Sequence, residues 1–350
     1  MKSKILIHGG TVVDGTGGSA FKADVEITDD RITRIGEINP HNYSEILDAK
    51  GLIVTPGFID PHSHSDFTLL VDPRAVSSIT QGVTSEVVGN CGYGSCPILN
   101  KSMAKDVIYG FRNDFPINWG TVAGYLDRLE KEQPAVNVLT LVPNGQLRIG
   151  ALGADQRPAN KQELLKMKHL LRQGLEEGAF GYSTGLEYAN ELSATEEEIT
   201  ELCKVTAEFS GVYATHTRNR DEKAVEAIAE AIRTAEKADV ALQISHITPR
   251  GPREDVERSI ELVEDAIKLG NDIAFDMHTR LFGTTYLKVL LPSWALKGSK
   301  KDIAKELIDT FFEAGRAAKT ISDQGIKITL KEDKSPVTNA DLAVDEILTK

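Results

Sequence analysis

The sequence predicts an α/β protein built on a (β/α)8-type barrel that is preceded by a small β layer. From Gly57 onward, short apolar runs of strand length alternate with segments of helical periodicity. Alternating strand–helix units favour a parallel sheet, and a long series of them favours a barrel. Before Gly57, short alternating runs such as ADVEITDDRITRIGEI are separated by Gly- and Asp-rich turns, which indicates strands joined by tight connections.

Seven strand–helix units can be placed before about Gly298, so the barrel is expected to be truncated after strand seven. These boundaries divide the chain into a β layer at 1–56, an incomplete barrel at 57–298 and a terminal segment at 299–350. The seven predicted strands cover residues 57–64, 83–91, 136–143, 179–183, 211–216, 241–247 and 272–278.

Two of the predicted helices carry clear local signals. Apolar residues recur at helical spacing over 256–267, and Gly270 follows as a stop signal. Another helix is predicted to begin at Thr195, with Glu198 three residues later in a capping-box pattern. Cys203 lies on the apolar face of that helix and is therefore expected in the core.

Composition limits the classes of partner. The net charge of −12, with no prominent Lys/Arg run, argues against nucleic acid or an anionic membrane surface. No apolar run approaches the roughly 18 residues that a membrane span requires. Three cysteines do not make a disulfide framework, which favours a reducing compartment, the cytoplasm.

Polar residues that can bind metal gather at the predicted strand ends, where barrels of this type carry their chemistry. The ends of strands one, two, five and six hold His62 and His64, Cys91, His216 and His246. His62 and His64 are two residues apart, so in a strand both imidazoles face one side. One histidine at a strand end is most often an ordinary satisfied polar residue, but the combination predicts a metal site.

Several segments carry a family resemblance that runs from about residue 4 to 298. They resemble the D-aminoacylase (N-acyl-D-amino-acid deacylase) branch of the amidohydrolase superfamily, and the segment before Gly57 resembles that superfamily's β-sandwich domain. The segments are GFIDPHSHSD, VVGNCG, GYSTGLEY, YATHTR, LQISH and TTYLKVLLPSWAL.

The resemblance implies a zinc enzyme that hydrolyses the amide bond of a small-molecule N-acyl-D-amino acid. Cys91, His216 and His246 would hold one tight Zn²⁺ with a fourth position open, as in catalytic zinc sites. His62 and His64 would line a second, weaker metal position. Strand four, AFGYSTG, lacks the lysine that bridges two metals in many amidohydrolases, and Cys91 offers a thiolate in its place.

The resemblance also nominates residues that would bind the substrate. Ser183, Glu187 and Tyr188 match the family's substrate-side loop. Three arginines that follow strand ends are candidates for binding the substrate carboxylate, because arginine makes bidentate contacts to carboxylates. They are Arg218, Arg250 and Arg280.

After about Gly298 the chain no longer resembles a deacylase. The stretch from about 302 to 350, which includes KEDKSPVTNAD, resembles the start of the inositol monophosphatase/bisphosphate nucleotidase family. The principal metal ligands of that family are absent from it, so no phosphatase activity is expected. The chain thus looks like a chimera of two incomplete genes.

Truncation bears on catalysis, because the family's catalytic aspartate lies on strand eight. Asp276, at the end of strand seven, is then the nearest candidate for the proton-transfer group, and impaired activity is expected. Two alternatives stay open: another amidohydrolase of hydantoinase or dihydroorotase type, which Cys91 and the missing lysine disfavour, and an inactive metal-binding fragment.

Overall fold

The computed structural model describes residues 3–112, 114–278, 300–330 and 336–348. These residues belong to two compact units. One consists of Met1–Asp60 with Val76–Ser85, and the other consists of Pro61–Ala75 with Glu86–Lys350.

The first unit is built on a five-stranded sheet whose order is β3-β2-β1-β4, with β5 also pairing with β1. Strand β1 is antiparallel to β2 and parallel to β4 and β5. Val12, Ala23 and Val25 form its small buried cluster. The strands are β1 Lys4–Val12, β2 Phe21–Thr28, β3 Arg31–Gly36, β4 Glu45–Asp48 and β5 Ile53–Val54.

The main sheet has seven strands in sequential order, which confirms the predicted (β/α)8-type barrel with seven strands in the described part of the chain. The strands are β6 Phe58–Asp60, β7 Val83–Val88, β8 Asn137–Pro143, β9 Gly181–Gly185, β10 Val212–His216, β11 Ala241–Ile244 and β12 Ile273–Phe275.

Four predicted strands extend past the observed ones at their carboxyl ends. Strand β6 ends at Asp60 and β12 at Phe275, short of residues 64 and 278, so His62 and His64 lie in the loop after β6 and not in a strand. The prediction took β7 to Cys91 and β11 beyond His246, whereas the ladders stop at Val88 and Ile244. The backbone explains the difference, because Cys91 has a φ of 56° and His246 a φ of 35°. A residue with positive φ turns the chain out of the extended conformation, so both side chains lie in loops just past the sheet.

Helices follow most of the strands. None of the described helices has the length and apolar character needed to cross a bilayer. The helices are α1 Thr68–Val71, α2 Val76–Ile79, α3 Lys101–Ala104, α4 Val122–Glu132, α5 Asn144–Leu152, α6 Lys161–Glu176, α7 Glu196–Ala207, α8 Ala224–Ala238, α9 Arg253–Lys268, α10 Lys300–Gln324 and α11 Asn339–Leu348; a short hairpin, β13 Ile328–Leu330 and β14 Pro336–Thr338, precedes α11.

The helices that cover the sheet do so for reasons visible in their sequences. Helix α8 buries small residues at three- and four-residue spacing, among them Ala227, Ala231 and Ala235, which lets it lie close to its neighbours. The predicted helix at 256–267 is confirmed within α9, and Gly270 follows with a φ of 96°. Cys203 is fully buried on α7, as expected.

The start of α7 contains a buried ion pair in place of the full capping box. The Thr195 hydroxyl accepts a hydrogen bond from the Glu198 amide at 3.1 Å. The Glu198 carboxylate does not return to the cap, because it pairs with Arg148 and accepts a hydrogen bond from the Ala159 amide at 2.9 Å. Arg148 and Glu198 are only 2% and 3% exposed, so each charge depends on the other.

Replacing Glu198 with alanine should therefore destabilise the protein by about 3–5 kcal/mol, because the Arg148 guanidinium would keep its charge without its partner. The free energy of unfolding in urea measures this effect. Glu197→Ala, on the exposed side of the same helical turn, is the matched control and should change stability by less than about 0.5 kcal/mol. Equal effects of the two substitutions would contradict the assignment of the pair as a stability determinant.

Candidate metal centre

The sulfur of Cys91 lies at the centre of a cluster of histidines. Its Sγ atom is 3.2 Å from His62 Nε2 and 3.5 Å from His246 Nε2. The ring centroids of His216 and His246 are 4.6 Å apart, and those of His62 and His246 are 5.0 Å apart. Residues from four separate strand ends therefore meet at one point, because the carboxyl ends of parallel strands lie at one edge of the sheet.

Cys91 belongs to two groups that can each hold a metal ion. One group consists of Cys91, His216 and His246, all buried, and the other of Cys91, His62 and His64. Within each group the ligand atoms lie within 4.8 Å of one another. The two groups contain the residues that the sequence predicts for two metal positions, and Cys91 belongs to both groups.

The side chains of both groups fit a metal ion. Among the described residues, no group hydrogen-bonds the Nδ1 atom of His216 or that of His64, although both atoms are buried. Buried ring nitrogens usually have a partner, so these two are suited to bind a metal ion. One thiolate with neutral imidazoles is a donor set that suits zinc, and three protein ligands leave a fourth position open.

An ion pair between Glu187 and Arg220 links two of the histidines. The Glu187 Oε2 atom is 2.7 Å from His216 Nε2, and Arg220 Nη2 donates to the same oxygen at 3.1 Å. Arg220 Nη1 lies 3.2 Å from His246 Nδ1. With Glu187 on its Nε2 atom, His216 presents Nδ1 to the centre, and such partners orient metal-binding histidines.

Asp276 connects the third histidine to the loop after β11. Its Oδ1 atom is 3.0 Å from His62 Nδ1 and accepts a hydrogen bond from the His246 amide at 2.6 Å. Its Oδ2 atom accepts a hydrogen bond from Gln243 at 3.0 Å. The same carboxylate thus orients the His62 ring and holds the left-handed backbone of His246 in place.

Burial and neighbouring charges shift the pKa values of Cys91, His62 and His246. Burial acts to raise the pKa of the Cys91 thiol, but the charge of His62 beside it lowers that pKa well below its usual range. Burial acts to lower the pKa of His62, yet the Cys91 thiolate and Asp276 raise it well above its usual range. Burial lowers the pKa of His246 to about 4, so this ring is neutral and can donate a lone pair.

Close backbone packing holds Cys91 in its position. A Cβ atom on Gly185 would overlap the Cys91 carbonyl, so the end of β9 needs a glycine there. The Ser183 hydroxyl donates to the Gly89 carbonyl and accepts a hydrogen bond from the Gly92 amide at 3.2 Å. Strand β9 therefore contacts the loop on both sides of Cys91.

Comparison with known proteins identifies the family. The amidohydrolase family profile matches residues 45–336, which is most of the chain. The chain belongs to the amidohydrolase family. The match continues past residue 298, where the sequence analysis expects the amidohydrolase resemblance to end, and covers much of the segment assigned there to a second family.

Three relatives illustrate how this amidohydrolase compares with named proteins. The D-aminoacylase of Alcaligenes xylosoxydans xylosoxydans is 34% identical over 81% of this chain and 59% of its own length. A D-aminoacylase structure with a binuclear metal centre is 32% identical, with a TM-score of 0.71 over 79% of this chain and 58% of its own. The zinc and phosphonate complex of the Bordetella bronchiseptica N-acyl-D-glutamate deacylase is 30% identical, with a TM-score of 0.73 over 80% and 59%. The chain thus spans less than three fifths of their length.

The structure separates the predicted substrate-binding residues into those near the centre and those away from it. Glu187 and Tyr188 lie against His216, and the Tyr188 ring is 4.7 Å from the histidine ring. Arg250 pairs with Glu187 and, at 2.9 Å, with Asp221.

Of the other three, two have different partners and one is not described. Ser183 is fully buried in the contacts with the Cys91 loop described above. Arg218 is directed away to Glu230, with its Nη2 atom at 2.7 Å from the carboxylate. Arg280 lies outside the described residues.

The flanking residues also have defined places. Cys96 is buried, burial raises the pKa of its thiol to about 12, and its sulfur is 3.5 Å from the Thr140 hydroxyl. Asp66 is buried and accepts a hydrogen bond from Ser95 at 2.5 Å. The His278 ring stacks on His246, with centroids 5.2 Å apart.

Sequence analysis named Tyr188 but missed Tyr93 and Tyr109, which form a row of rings with it beside the centre. Neighbouring rings are 4.4–4.9 Å apart along the whole row, which runs from His64 through Tyr109, Tyr93 and Tyr188 to His216. Tyr93 follows Cys91 by only two residues, and this position just past a strand end is the signal that would have indicated it.

Removing the sulfur should remove the tightly held metal. Elemental analysis after dialysis should find about one equivalent of divalent metal per chain, and Cys91→Ser should reduce it to less than about a tenth, because a ligand of the tight group is lost. Cys96→Ser is the matched control and should keep the metal. The double variant His62→Ala/His64→Ala should also keep it, whereas full retention in Cys91→Ser would refute the ligand assignment.

Glu187→Gln should weaken metal binding by about 10- to 100-fold, because residues that orient metal-bound histidines have effects of this size. Competition against a chromophoric chelator measures the affinity without any need for catalysis. Glu222→Gln, an exposed glutamate in the loop after β10, is the control. If both variants bind metal as tightly as the original chain, Glu187 does not position His216.

Proposed function

We propose that this chain is a zinc-dependent amidohydrolase that cleaves the amide bond of N-acyl-D-amino acids. The observation that carries the proposal is the position of Cys91, which is shared by two groups of potential metal ligands. The relatives named above support it, because a D-aminoacylase has a binuclear metal centre and an N-acyl-D-glutamate deacylase binds zinc.

Cys91, His216 and His246 would hold the tight zinc, and His62 with His64 would complete a second, weaker site. A zinc ion bound there would polarise a substrate carbonyl and lower the pKa of a bound water molecule. The protein would exclude water from the Cys91 thiolate and balance its negative charge. The Glu187 contact would orient His216 so that its Nδ1 atom faces the centre.

The substrate carboxylate needs a cation close to the centre, and Arg250 is the best placed of the predicted candidates. Its side chain is 41% exposed and forms ion pairs with Glu187 and Asp221. Arg220 lies deeper, between Glu187 and His246. Arg218 is occupied by Glu230, so its role in binding stays a prediction, as does that of Arg280.

Asp276 stays the sequence-based candidate for the proton-transfer group. Both of its oxygens accept contacts from His62, the His246 amide and Gln243. Burial acts to raise its pKa, but the contact with His62 lowers it, so the carboxylate is charged and can act as a base. These contacts favour a positioning role in addition to any proton transfer.

The zinc-loaded chain should hydrolyse N-acetyl-D-leucine slowly, with release of D-leucine, and N-acetyl-L-leucine far more slowly. Activity should fall by at least about 100-fold in Cys91→Ser, because a catalytic metal ion supplies several kcal/mol of stabilisation. Cys96→Ser is the matched control at equal zinc content. Amino acid release is measured by chiral chromatography.

Two other substrates test the rival activities in the same assay. Faster turnover of a hydantoin or of dihydroorotate than of N-acetyl-D-leucine would favour the hydantoinase- or dihydroorotase-like alternative. A chain that binds one equivalent of zinc and hydrolyses none of these compounds would be the inactive metal-binding fragment, and the proposal would be abandoned.

A further inference from the structure

A buried carboxylate contacts the loop that carries His62 and His64. It belongs to Glu86 on β7, which is 1% exposed. Its Oε2 atom accepts hydrogen bonds from the Ser63 hydroxyl at 2.9 Å and from the Ser65 hydroxyl. One carboxylate oxygen therefore holds both of the serines that alternate with the histidines. Because a buried carboxylate is costly without hydrogen-bond donors, these two contacts stabilise Glu86 as well as the loop.

The two serines complete a network with this oxygen. Their Oγ atoms are 2.9 Å apart, and the Ser65 amide donates to the Ser63 hydroxyl oxygen at 3.2 Å. The Ser63 amide donates to the Val87 carbonyl on β7 at 3.0 Å. The backbone on both sides of His64 is thus tied to two successive residues of β7. A buried polar network whose members bond one another favours a single conformation.

The loop is tied at its start by a different residue. Asn90 is fully buried, and its Nδ2 atom donates to the Pro61 carbonyl at 3.3 Å and to the Val87 carbonyl at 2.8 Å. This contact precedes His62, whereas the contacts of Glu86 follow it. Asn90 and Glu86 therefore hold different parts of the loop, and the part around His64 depends on Glu86.

The two histidines differ in how their rings are oriented. Asp276 contacts the Nδ1 atom of His62 at 3.0 Å. The Nδ1 atom of His64 is buried and has no hydrogen-bond partner among the described residues. The direction of the His64 ring therefore follows from its packing against Tyr109, 4.4 Å away between centroids, and from the backbone that carries it.

These contacts take the place of a strand ladder. Strand β6 ends at Asp60, so no ladder imposes the alternation that would direct both imidazoles to one side. The serines instead face Glu86, and the histidine rings lie 5.3 Å apart on the side of Cys91.

We infer that Glu86 is a positioning residue for the second metal position, and that it acts through the hydroxyls of Ser63 and Ser65. The inference rests on the proposed function, because it takes Cys91, His62 and His64 as a group that binds a metal ion. Glu86 contacts neither histidine side chain directly in this network, so its effect is on how firmly the loop presents them. The affinity of the second ion should therefore depend on Glu86, and that of the tight ion should not.

Two zinc affinities test this separation, and neither measurement requires catalysis. Competition against a chromophoric chelator gives the affinity of the first, tight zinc. The chain that already holds one equivalent of zinc is then titrated with Zn²⁺ in a calorimeter, which gives the affinity of the second ion. The original chain should bind this second ion saturably and more weakly than the first.

Two substitutions of similar size separate hydrogen bonding from packing. Glu86→Met removes the acceptor, and it should weaken the second ion by about 10- to 100-fold and leave the first unchanged. Glu86→Gln keeps a carbonyl oxygen that can accept from both hydroxyls, so it should weaken the second ion by less than about tenfold. General destabilisation would weaken both ions together.

The serines give an independent test that remains decisive even if Glu86→Met does not fold. Ser63→Ala/Ser65→Ala should weaken the second ion about as much as Glu86→Met. The triple variant should bind it no more weakly, because side chains of one network act as a unit and their effects do not add. Ser259→Ala, at a fully buried serine on α9, is the matched control and should change neither affinity.

Four results would overturn the inference: an original chain that binds no second ion, full affinity for that ion in the serine variant, equal losses in Glu86→Met and Glu86→Gln, or a parallel loss of the first zinc. Failure of the proposed function gives a different result. The variants would still separate the two zinc ions as expected, but the original chain with zinc bound would leave N-acetyl-D-leucine intact.

Discussion

A thiolate buried among imidazoles is the constraint on which the rest of this site depends. A charged sulfur inside a protein must be compensated by a cation or by a metal ion, because its desolvation is otherwise too costly. His62, whose Nε2 atom lies 3.2 Å from the sulfur, can provide part of that compensation. The cost of burying Cys91 therefore explains why so many histidines converge here: each of them can stabilise the sulfur directly or through a shared ion.

Charged side chains also surround the cluster formed by Cys91 and the histidines. Glu187 faces His216, Arg220 faces His246, and Asp276 faces His62, so the outer nitrogen of each of these three rings meets a charged group. Burial acts to raise the pKa of Glu187, but His216, Arg220 and Arg250 lower it to about 2, which keeps this carboxylate charged. Removing Glu187 would take away the carboxylate that pairs with both Arg220 and Arg250, and the Arg220 side chain is only 16% exposed.

Sequence reasoning identified the residues that the structure brings together around Cys91, although their role as metal ligands stays a prediction. In a parallel sheet each strand ends at the same edge, so His62, Cys91, His216 and His246 had to meet once the strands were placed. The outer partners were harder to predict. Arg218 and Arg220 are two residues apart in one loop, yet one pairs with Glu230 and the other with Glu187. Only the course of the backbone after β10 separates them, and no local pattern encodes it.

The same limit applied to Ser183 and to the tyrosines. Ser183 is a predicted substrate residue through its match to the family's substrate-side loop, and the structure shows its hydroxyl hydrogen-bonded to the backbone on both sides of Cys91. Long-range contacts of this kind have no signature in a local window of sequence. Tyr93, Ile149 and Tyr188 line one cavity, although they come from separate loops and helices. Only the folded chain brings these residues together.

The loop after β7 and the loop after β9 each serve two purposes. The first carries Cys91 and Tyr93. The second carries Glu187, which contacts His216, and Tyr188, whose ring is 4.7 Å from that of Tyr93. A substitution at Tyr93 or Tyr188 therefore acts on a loop that also carries a residue of the candidate metal centre. Because Gly185 packs against the Cys91 carbonyl, any side chain at position 185 would displace the backbone of Cys91 and thereby the candidate metal centre.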